Sequence, residues 1–150
     1  MREILFRGKA ANRENGREYR TKYKNGDWVY GLLTDPKNYA GFAEMTNTDG
    51  VSGIEVDPES IGQWTGLVDK NGVKIFEGDI VKTQPFSDRP YSKKAKFKQH
   101  IGVVKYSTAH NCYAEWTVEI DYEGYGCCDW TAFYKCEVIG NIHDEKAVEE

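Results

Sequence analysis

The 150-residue sequence has four prolines, two methionines and no long apolar run, and these shortages narrow the class of protein. No stretch approaches the roughly 20 apolar residues that a membrane-spanning helix needs, so we expect no membrane partner. The first 16 residues have only a three-residue apolar run between charges, which is not the pattern of a secretory signal peptide. We therefore predict a cytoplasmic protein.

The motifs of common catalytic and cofactor-binding sites are also missing from the sequence. There is no phosphate-binding glycine loop, dinucleotide fingerprint, G-x-S-x-G elbow or H-E-x-x-H helix. The four cysteines lack the C-x-x-C spacing of zinc sites, so we expect free thiols, no metal and no cofactor. An enzyme would need a pocket such as one around His110 and Cys112, and we predict no enzymatic activity.

Aromatic residues are plentiful, with four Trp, ten Tyr and six Phe. Disordered chains are poor in aromatics, so we expect a folded chain with a real core. Five of these residues are more typical of the core and rim of a barrel than of a ligand cage: Trp28, Tyr30, Trp64, Trp116 and Trp130. If some of them are exposed together, they would instead form a patch that binds a partner.

Alternation of apolar and polar residues predicts a mostly β protein of short antiparallel strands with little helix. The clearest strand is Cys112–Asp121, in which every second residue from Cys112 to Ile120 is apolar or small. Asn25-Gly26 and Asn71-Gly72 predict tight turns, because this pair tolerates the positive φ angles that such turns demand. Asp57 and Pro58 predict one short helical turn, with Asp57 as its cap.

One basic segment, residues 84–100, stands apart from the rest of the chain. Five cations against Asp88 give it a net charge of 5 − 1 = +4, so the remainder of the chain carries −4 − 4 = −8. Its lysines, interleaved with aromatics, could follow a phosphate backbone, could keep a mobile loop solvated, or could contact an acidic face of another copy. The candidate nucleic-acid-binding residues are Arg89, Lys93, Lys94, Lys96 and Lys98.

The segment from Ile61 to Val81, IGQWTGLVDKNGVKIFEGDIV, resembles the signature of the YopX family of phage and prophage proteins. The opening residues Ile4–Lys9, with Trp28–Gly31, resemble the N-terminus of that family. Near the end of the chain, Gly102–Tyr106 and Glu137–Ile142 resemble its closing strands. The resemblance implies an SH3-like β-barrel, a temperate-phage origin, a location in the host bacterial cytoplasm and self-association. It implies no activity and no catalytic residue.

Together these patterns predict an N-terminal β segment over 1–60 packed on the rest, an SH3-like barrel over 61–143 and an acidic tail over 144–150. For function, we predict a phage-encoded accessory protein that binds protein or assembles with itself, as a homo-oligomer or with a host or phage protein. The alternative is a nucleic-acid-binding module that uses the basic loop 84–100.

Overall fold

A computed structural model describes residues 3–11, 23–39, 41–85, 93–94, 97, 99–106, 116–120, 126–127 and 135–144. Within this part of the chain the protein is mostly β and all strand pairs with a described register are antiparallel, as predicted. The strands are β1 (Phe6–Lys9), β2 (Trp28–Asp35), β3 (Ala43–Asn47), β4 (Ile54–Val56), β5 (Gly62–Val68), β6 (Lys74–Phe76), β7 (Asp79–Lys82), β8 (Ile101–Tyr106), β9 (Trp116–Ile120), β10 (Gly126–Cys127) and β11 (Glu137–Asn141).

The chain divides into two compact units, Met1–Trp64 and Thr65–Glu150. One sheet has six strands in the order β4-β3-β2-β1-β5-β6, and its strand β5 contains the unit boundary. The other sheet has five strands in the order β10-β9-β8-β7-β11. Neighbouring strands of β1–β4 are consecutive in sequence, as antiparallel hairpins allow.

The core of the first unit lies on the inner side of β1–β4. Its fully buried members are Ala10, Val29, Ala43, Met45, Ile54 and Val56, with Phe6, Tyr23, Leu33 and Ile61 packed against them. Gly31 also faces inward, and a methyl group there would overlap the carbonyl oxygen of Thr46. The missing side chain therefore lets β3 approach β2 closely, which is a common reason for glycine inside a strand.

The end of β1 meets the end of β4, so that the first four strands curl back toward one another. Ala10 and Val56 form an isolated antiparallel bridge, and the Asp57 N–H donates to the carbonyl of Lys9 at 2.9 Å. The predicted short turn follows at once: Pro58–Ser60 is a 3-10 turn capped by the Asp57 side chain, which accepts from the Glu59 N–H at 3.0 Å. The Ala10–Val56 bridge and the Asp57–Lys9 hydrogen bond thus join β1 to β4, although the two strands form no continuous ladder.

In the second unit, β7–β10 form a meander and β11 returns to the outer side of β7. The buried apolar side chains here include Ile75, Ile80, Val81, Val104 and Cys136. A closed barrel would require the two edge strands of this sheet, β10 and β11, to pair with each other or with another strand. No such pairing occurs among the described residues, so the SH3-like barrel stays a prediction.

The predicted basic loop 84–100 lies between β7 and β8 in the chain. Its base is closed by two hydrogen bonds: the Thr83 N–H donates to the His100 carbonyl at 2.8 Å, and the His100 N–H donates to Thr83 Oγ1 at 3.0 Å. The predicted strand Cys112–Asp121 is described over Trp116–Ile120, where it pairs with β8; its ends lie outside the described residues.

Candidate interaction surface on strand β2

Strand β2 presents alternate side chains to opposite sides, because successive residues of a strand point to opposite faces. Val29 and Gly31 are buried on the core side. Trp28, Tyr30 and Leu32 lie on the other side, and we call these three residues the outer stripe. Trp28 is half-buried, whereas Tyr30 is 41% exposed and Leu32 is 52% exposed. The outer stripe is thus an aromatic and aliphatic surface on a strand whose inner side is fixed in the core.

Two cations of β1 lie beside the first residue of the stripe. The register of the β1–β2 pair sets Arg7 opposite Tyr30 and Lys9 opposite Trp28, and directly opposite residues share a face. The Arg7 guanidinium lies 4.5 Å from the centroid of the Trp28 ring, and Lys9 Nζ lies 5.4 Å from it. Cation–π contacts of this kind contribute about 0.5–2 kcal/mol, so they hold the Trp28 ring in place.

Arg7 and Lys9 differ in their access to solvent. Arg7 is only 6% exposed, so its guanidinium contacts the Trp28 ring from a buried position. Lys9 is half-buried and borders the stripe from the side of β1. Its main chain is fixed as well, because the Lys9 N–H donates to Ser60 Oγ at 2.7 Å. Lys9 is therefore the cation that a partner on the stripe would meet.

Carboxylates lie near the opposite end of the stripe. Leu32 is opposite Thr46, so Glu44, two residues before Thr46 in β3, shares the outer face. Glu55 of β4 is directly opposite Glu44. One side-chain amide holds both groups: Asn38 Nδ2 donates to Glu44 Oε2 at 2.9 Å and to Glu55 Oε2 at 2.8 Å.

Asn38 also fixes the loop that joins β2 to β3. Its own N–H donates to the Phe42 carbonyl at 2.7 Å, and its side-chain oxygen accepts from the Phe42 N–H at 3.0 Å. Asn is suited to such loops because its side chain can imitate a backbone turn. The carboxylates of Glu44 and Glu55 are thus held by the Asn38 side chain, which is itself fixed in this loop.

The basic residues proposed from the sequence fall on the connection between β7 and β8. Lys93 and Lys94 form an exposed turn, and Phe97 is 59% exposed. Arg89, Lys96 and Lys98 lie outside the described residues, so the structure brings only two members of the set together. His110 and Cys112, which an enzymatic pocket would have used, also lie outside them.

The polar residues of the segment Ile61–Val81, which we call the central motif, stabilise the fold. Thr65 Oγ1 donates to the Ile75 carbonyl at 2.8 Å, and the buried Asp79 accepts from the Phe76 N–H at 2.7 Å. Asp69 has partners in two elements, because its two carboxylate oxygens accept N–H groups from its own turn and from Val138 in β11. These bonds explain the motif positions as requirements of folding.

The charge of Asp69 is favoured by those bonds. Burial of the carboxylate raises its pKa, but the N–H donors of Val138, Val73 and Asn71, together with the nearby Lys70 charge, outweigh burial. The pKa of Asp69 therefore lies below its ordinary value. Hydrogen bonding to the charged form has this effect in general.

Among the described residues, no three His, Cys, Asp or Glu side chains lie close enough together to hold a metal ion. Cys136 is fully buried with a free thiol, and burial, followed by the negative charge of Asp69, raises its pKa to about 11. None of the described residues belongs to a helix that could span a membrane.

Sequence reasoning named Trp28 and Tyr30 but missed their neighbours Arg7, Lys9 and Glu44 as parts of one surface. A signal was present for two of them, since Arg7 and Lys9 are two residues apart and share a face in any strand. Their place beside Trp28 depends on the β1–β2 register, which alternation alone does not give.

Comparison with protein families gives one match. The family model described as YopX protein matches residues 18–147, which is more than half of the chain. The match confirms the resemblance carried by the central motif. The opening segment Ile4–Lys9, which contains β1, precedes the matched residues, so its resemblance stays a prediction. No curated protein matches the chain.

Proposed function

We propose that this chain, which belongs to the YopX protein family, is a phage- or prophage-encoded accessory protein that acts without catalysis by binding protein. The binding surface is the outer stripe of Trp28, Tyr30 and Leu32, and the partner is another copy of the chain or a second protein. Its place of action is the host bacterial cytoplasm, where a free buried thiol such as that of Cys136 is ordinary.

The observation that carries this proposal is the joint exposure of Tyr30 and Leu32 on a strand with a rigid inner side. Large apolar side chains exposed in a row are uncommon on a protein that stays alone and are frequent at interfaces. Tyr and Trp anchor interfaces because they supply large area at a low cost in side-chain entropy. Trp28 is further held by Arg7, so the stripe is ordered before a partner arrives.

The absence of catalysis is supported by the roles of the polar residues in the central motif. Thr65, Asp69 and Asp79 are buried, and their side chains satisfy backbone groups of their own sheet or turn. A catalytic acid, base or nucleophile must instead reach a substrate in a pocket. These three residues are therefore better explained by folding than by chemistry.

A photo-crosslinking amino acid at Leu32 tests the proposal in living bacterial cells. We expect a covalent adduct to protein, and the mass of the adduct distinguishes a second copy from another protein. Val73 is the matched control, because it is 48% exposed and lies outside the stripe. Absence of any adduct at Leu32, or adducts at Val73 alone, would contradict the proposal.

A second candidate function, nucleic-acid binding by the basic loop, is favoured by the exposed turn of Lys93 and Lys94 and by exposed Phe97. Aromatic stacking and phosphate contacts are the two components of single-strand binding. The test is binding of a short single-stranded DNA at several salt concentrations, with the Lys93→Gln/Lys94→Gln variant beside the unchanged chain. Removing two phosphate contacts should lower the salt slope by about 1.4, and a flat salt response contradicts this function.

A further inference from the structure

The outer stripe is one strand wide and has polar borders. Arg7 and Lys9 of β1 lie along one side, and Thr46 of β3, which is opposite Leu32, lies along the other. Neighbouring strands are about 4.8 Å apart, so the two borders are separated by about 10 Å. An α-helix with its side chains has a diameter of about 10–12 Å, so one helix covers the stripe. A second sheet is several strands wide and would place apolar side chains on the charged borders as well.

The main chain of a partner also limits which secondary structure fits. Both edges of β2 are already paired, with β1 and with β3, so β2 cannot accept a further strand. An extended segment laid across the stripe would turn some of its N–H and C=O groups toward apolar side chains, where they have no partners. A helix bonds those groups internally, and a helix packed on a sheet face is a common layer arrangement. Both conditions favour a helix.

The charges beside the stripe set what such a helix must carry. Lys9 is opposite Trp28 at one end, and Glu44 is opposite Asp35 at the other. Glu55 of β4 adds a second carboxylate, because it is opposite Glu44. Along the direction of β2, Lys9 and Glu44 are about 20 Å apart at about 3.3 Å per residue. A helix covers that distance with about 13 residues at about 1.5 Å per residue.

We infer that the partner on the outer stripe is an amphipathic α-helix of a second protein, with carboxylates near its N-terminal end and cations near its C-terminal end. It runs in the same direction as β2, from Lys9 to Glu44, and its apolar face packs on Tyr30 and Leu32. Helices favour this distribution of charge, because acidic residues stabilise the N-terminal end and basic residues the C-terminal end. This inference rests on the proposed function and names the partner at the same surface.

Both charged ends of the surface are fixed before a partner binds. Lys9 Nζ lies 5.4 Å from the centroid of the Trp28 ring, and the Glu44 carboxylate accepts from Asn38. Charges that are already ordered lose little conformational entropy on binding, so more of their attraction contributes to affinity. Arg7 is buried, so it acts by positioning Trp28 rather than by contact with the helix.

Other occupants fit the stripe less well. A nucleic acid or a uniformly acidic segment would meet Lys9 at one end but would be repelled by Glu44 and Glu55 at the other. Among the described residues the only helix is the 3-10 turn Pro58–Ser60, so this part of a second copy has no helix long enough to cover the stripe. A helix of another protein with opposite charges at its two ends satisfies both ends of the surface.

Photo-crosslinking at two positions of the stripe measures this geometry. The crosslinking amino acid replaces Tyr30 in one variant and Leu32 in another, in living bacterial cells, and peptide mass spectrometry locates the partner residue in each adduct. The two positions are about 7 Å apart along β2, so the partner residues should be about four apart in a helix, with the Leu32 adduct nearer the C-terminus. A spacing of about two residues, as in an extended segment, or the reverse order would overturn the inference.

A synthetic peptide of the crosslinked segment then tests the charges, with binding followed by fluorescence anisotropy. The peptide should become helical when bound, as circular dichroism shows. Lys9→Glu should raise its Kd about tenfold, and exchanging the acidic residues of the peptide for lysine should restore binding to this variant. Lys9→Gln, which removes the charge without reversing it, should raise Kd by less. Lys74→Glu, at an exposed lysine of β6, is the matched control and should leave Kd unchanged.

Circular dichroism of each variant should show the unchanged fold, which separates a loss of binding from misfolding. Three further outcomes would overturn the inference. They are a Leu32 adduct to a second copy of this chain, a peptide that does not bind or binds without becoming helical, and a Kd that ignores Lys9→Glu. Each of these leaves protein binding by the stripe standing as long as Leu32 forms an adduct to protein. Absence of any adduct at Leu32 would instead remove the proposed function itself.

Discussion

Asp69→Asn is the perturbation whose effect follows most directly from the geometry. Asp69 Oδ1 accepts the N–H groups of Asn71 at 2.8 Å and Val73 at 2.9 Å, and Oδ2 accepts the Val138 N–H at 3.0 Å. An asparagine at position 69 keeps one oxygen and replaces the other with an NH2 group. In either orientation of the amide, a donor faces a donor.

The size of the effect can be estimated from these contacts. The orientation that harms least keeps the two bonds inside the turn and leaves the Val138 N–H facing the amide nitrogen. Losing a hydrogen bond to a charged group costs about 1.5–3 kcal/mol, and a buried donor left unsatisfied costs about 1–3 kcal/mol. Because the two costs overlap, we expect the free energy of unfolding to fall by about 2–4 kcal/mol.

Urea unfolding measures this loss, and amide hydrogen exchange at Val138 reports it locally. With a urea slope of about 2 kcal/mol per molar, the midpoint should fall by about 1–2 M at pH 7. The control is Asp49→Asn, an exposed aspartate in the turn between β3 and β4, which should change the midpoint little. An Asp69→Asn midpoint equal to that of the control would refute the reasoning.

The pH dependence gives a second, independent check on the same residue. The pKa of Asp69 is lowered in the folded chain, so its stabilising contribution is complete above the ordinary value of 3.8 and is lost as the pH falls through the folded pKa. The stability difference between the unchanged chain and Asp69→Asn should therefore be constant near neutral pH and shrink below pH 3.8. A difference that persists undiminished in acid would show that the carboxylate charge is not its source.

Two further predictions concern buried positions. Gly31→Ala should lower the free energy of unfolding by about 3 kcal/mol or more, because the added methyl overlaps the Thr46 backbone rather than a flexible side chain. Thermal unfolding measures the loss, with Leu32→Ala, a change at an exposed neighbour, as the control. An unaltered melting temperature would contradict the close approach of β2 and β3. Cys136, whose pKa is raised to about 11, should resist iodoacetamide at pH 8 in the folded chain and react in urea, as followed by peptide mass spectrometry; rapid labelling of the folded chain would contradict its burial.

The fold class was predictable because alternation is a local property of each strand. The predicted turns around Gly26 and Gly72 and the short turn after Asp57 all lie as the sequence indicates. The turn chemistry was predicted only in part, because Gly26 and Gly72 have positive φ whereas Asn25 and Asn71 do not. Each asparagine therefore precedes the left-handed residue instead of sharing that conformation.

The candidate surface was less predictable, for a reason that lies in strand register. Trp28 and Tyr30 could be placed on one face from their spacing alone. Lys9, the cation at one end, is brought to that face by the pairing of β1 with β2. Glu44, the carboxylate at the other end, is brought there by the pairing of β3 with β2. Pairing between strands depends on the whole sheet, so a single sequence does not specify which charged residues will border the stripe.

The central position of β1 in its sheet has a consequence for how the chain folds during synthesis. Phe6 pairs with Gly31 on one side and with Gln63 on the other. Strand β1 is thus bordered by one strand made soon after it and by another made much later. At about 5–20 residues per second, the second edge of β1 stays open for about 3–10 s. An open strand edge can pair with the wrong strand, so the nascent chain is prone to mispairing at β1 until β5 has been made.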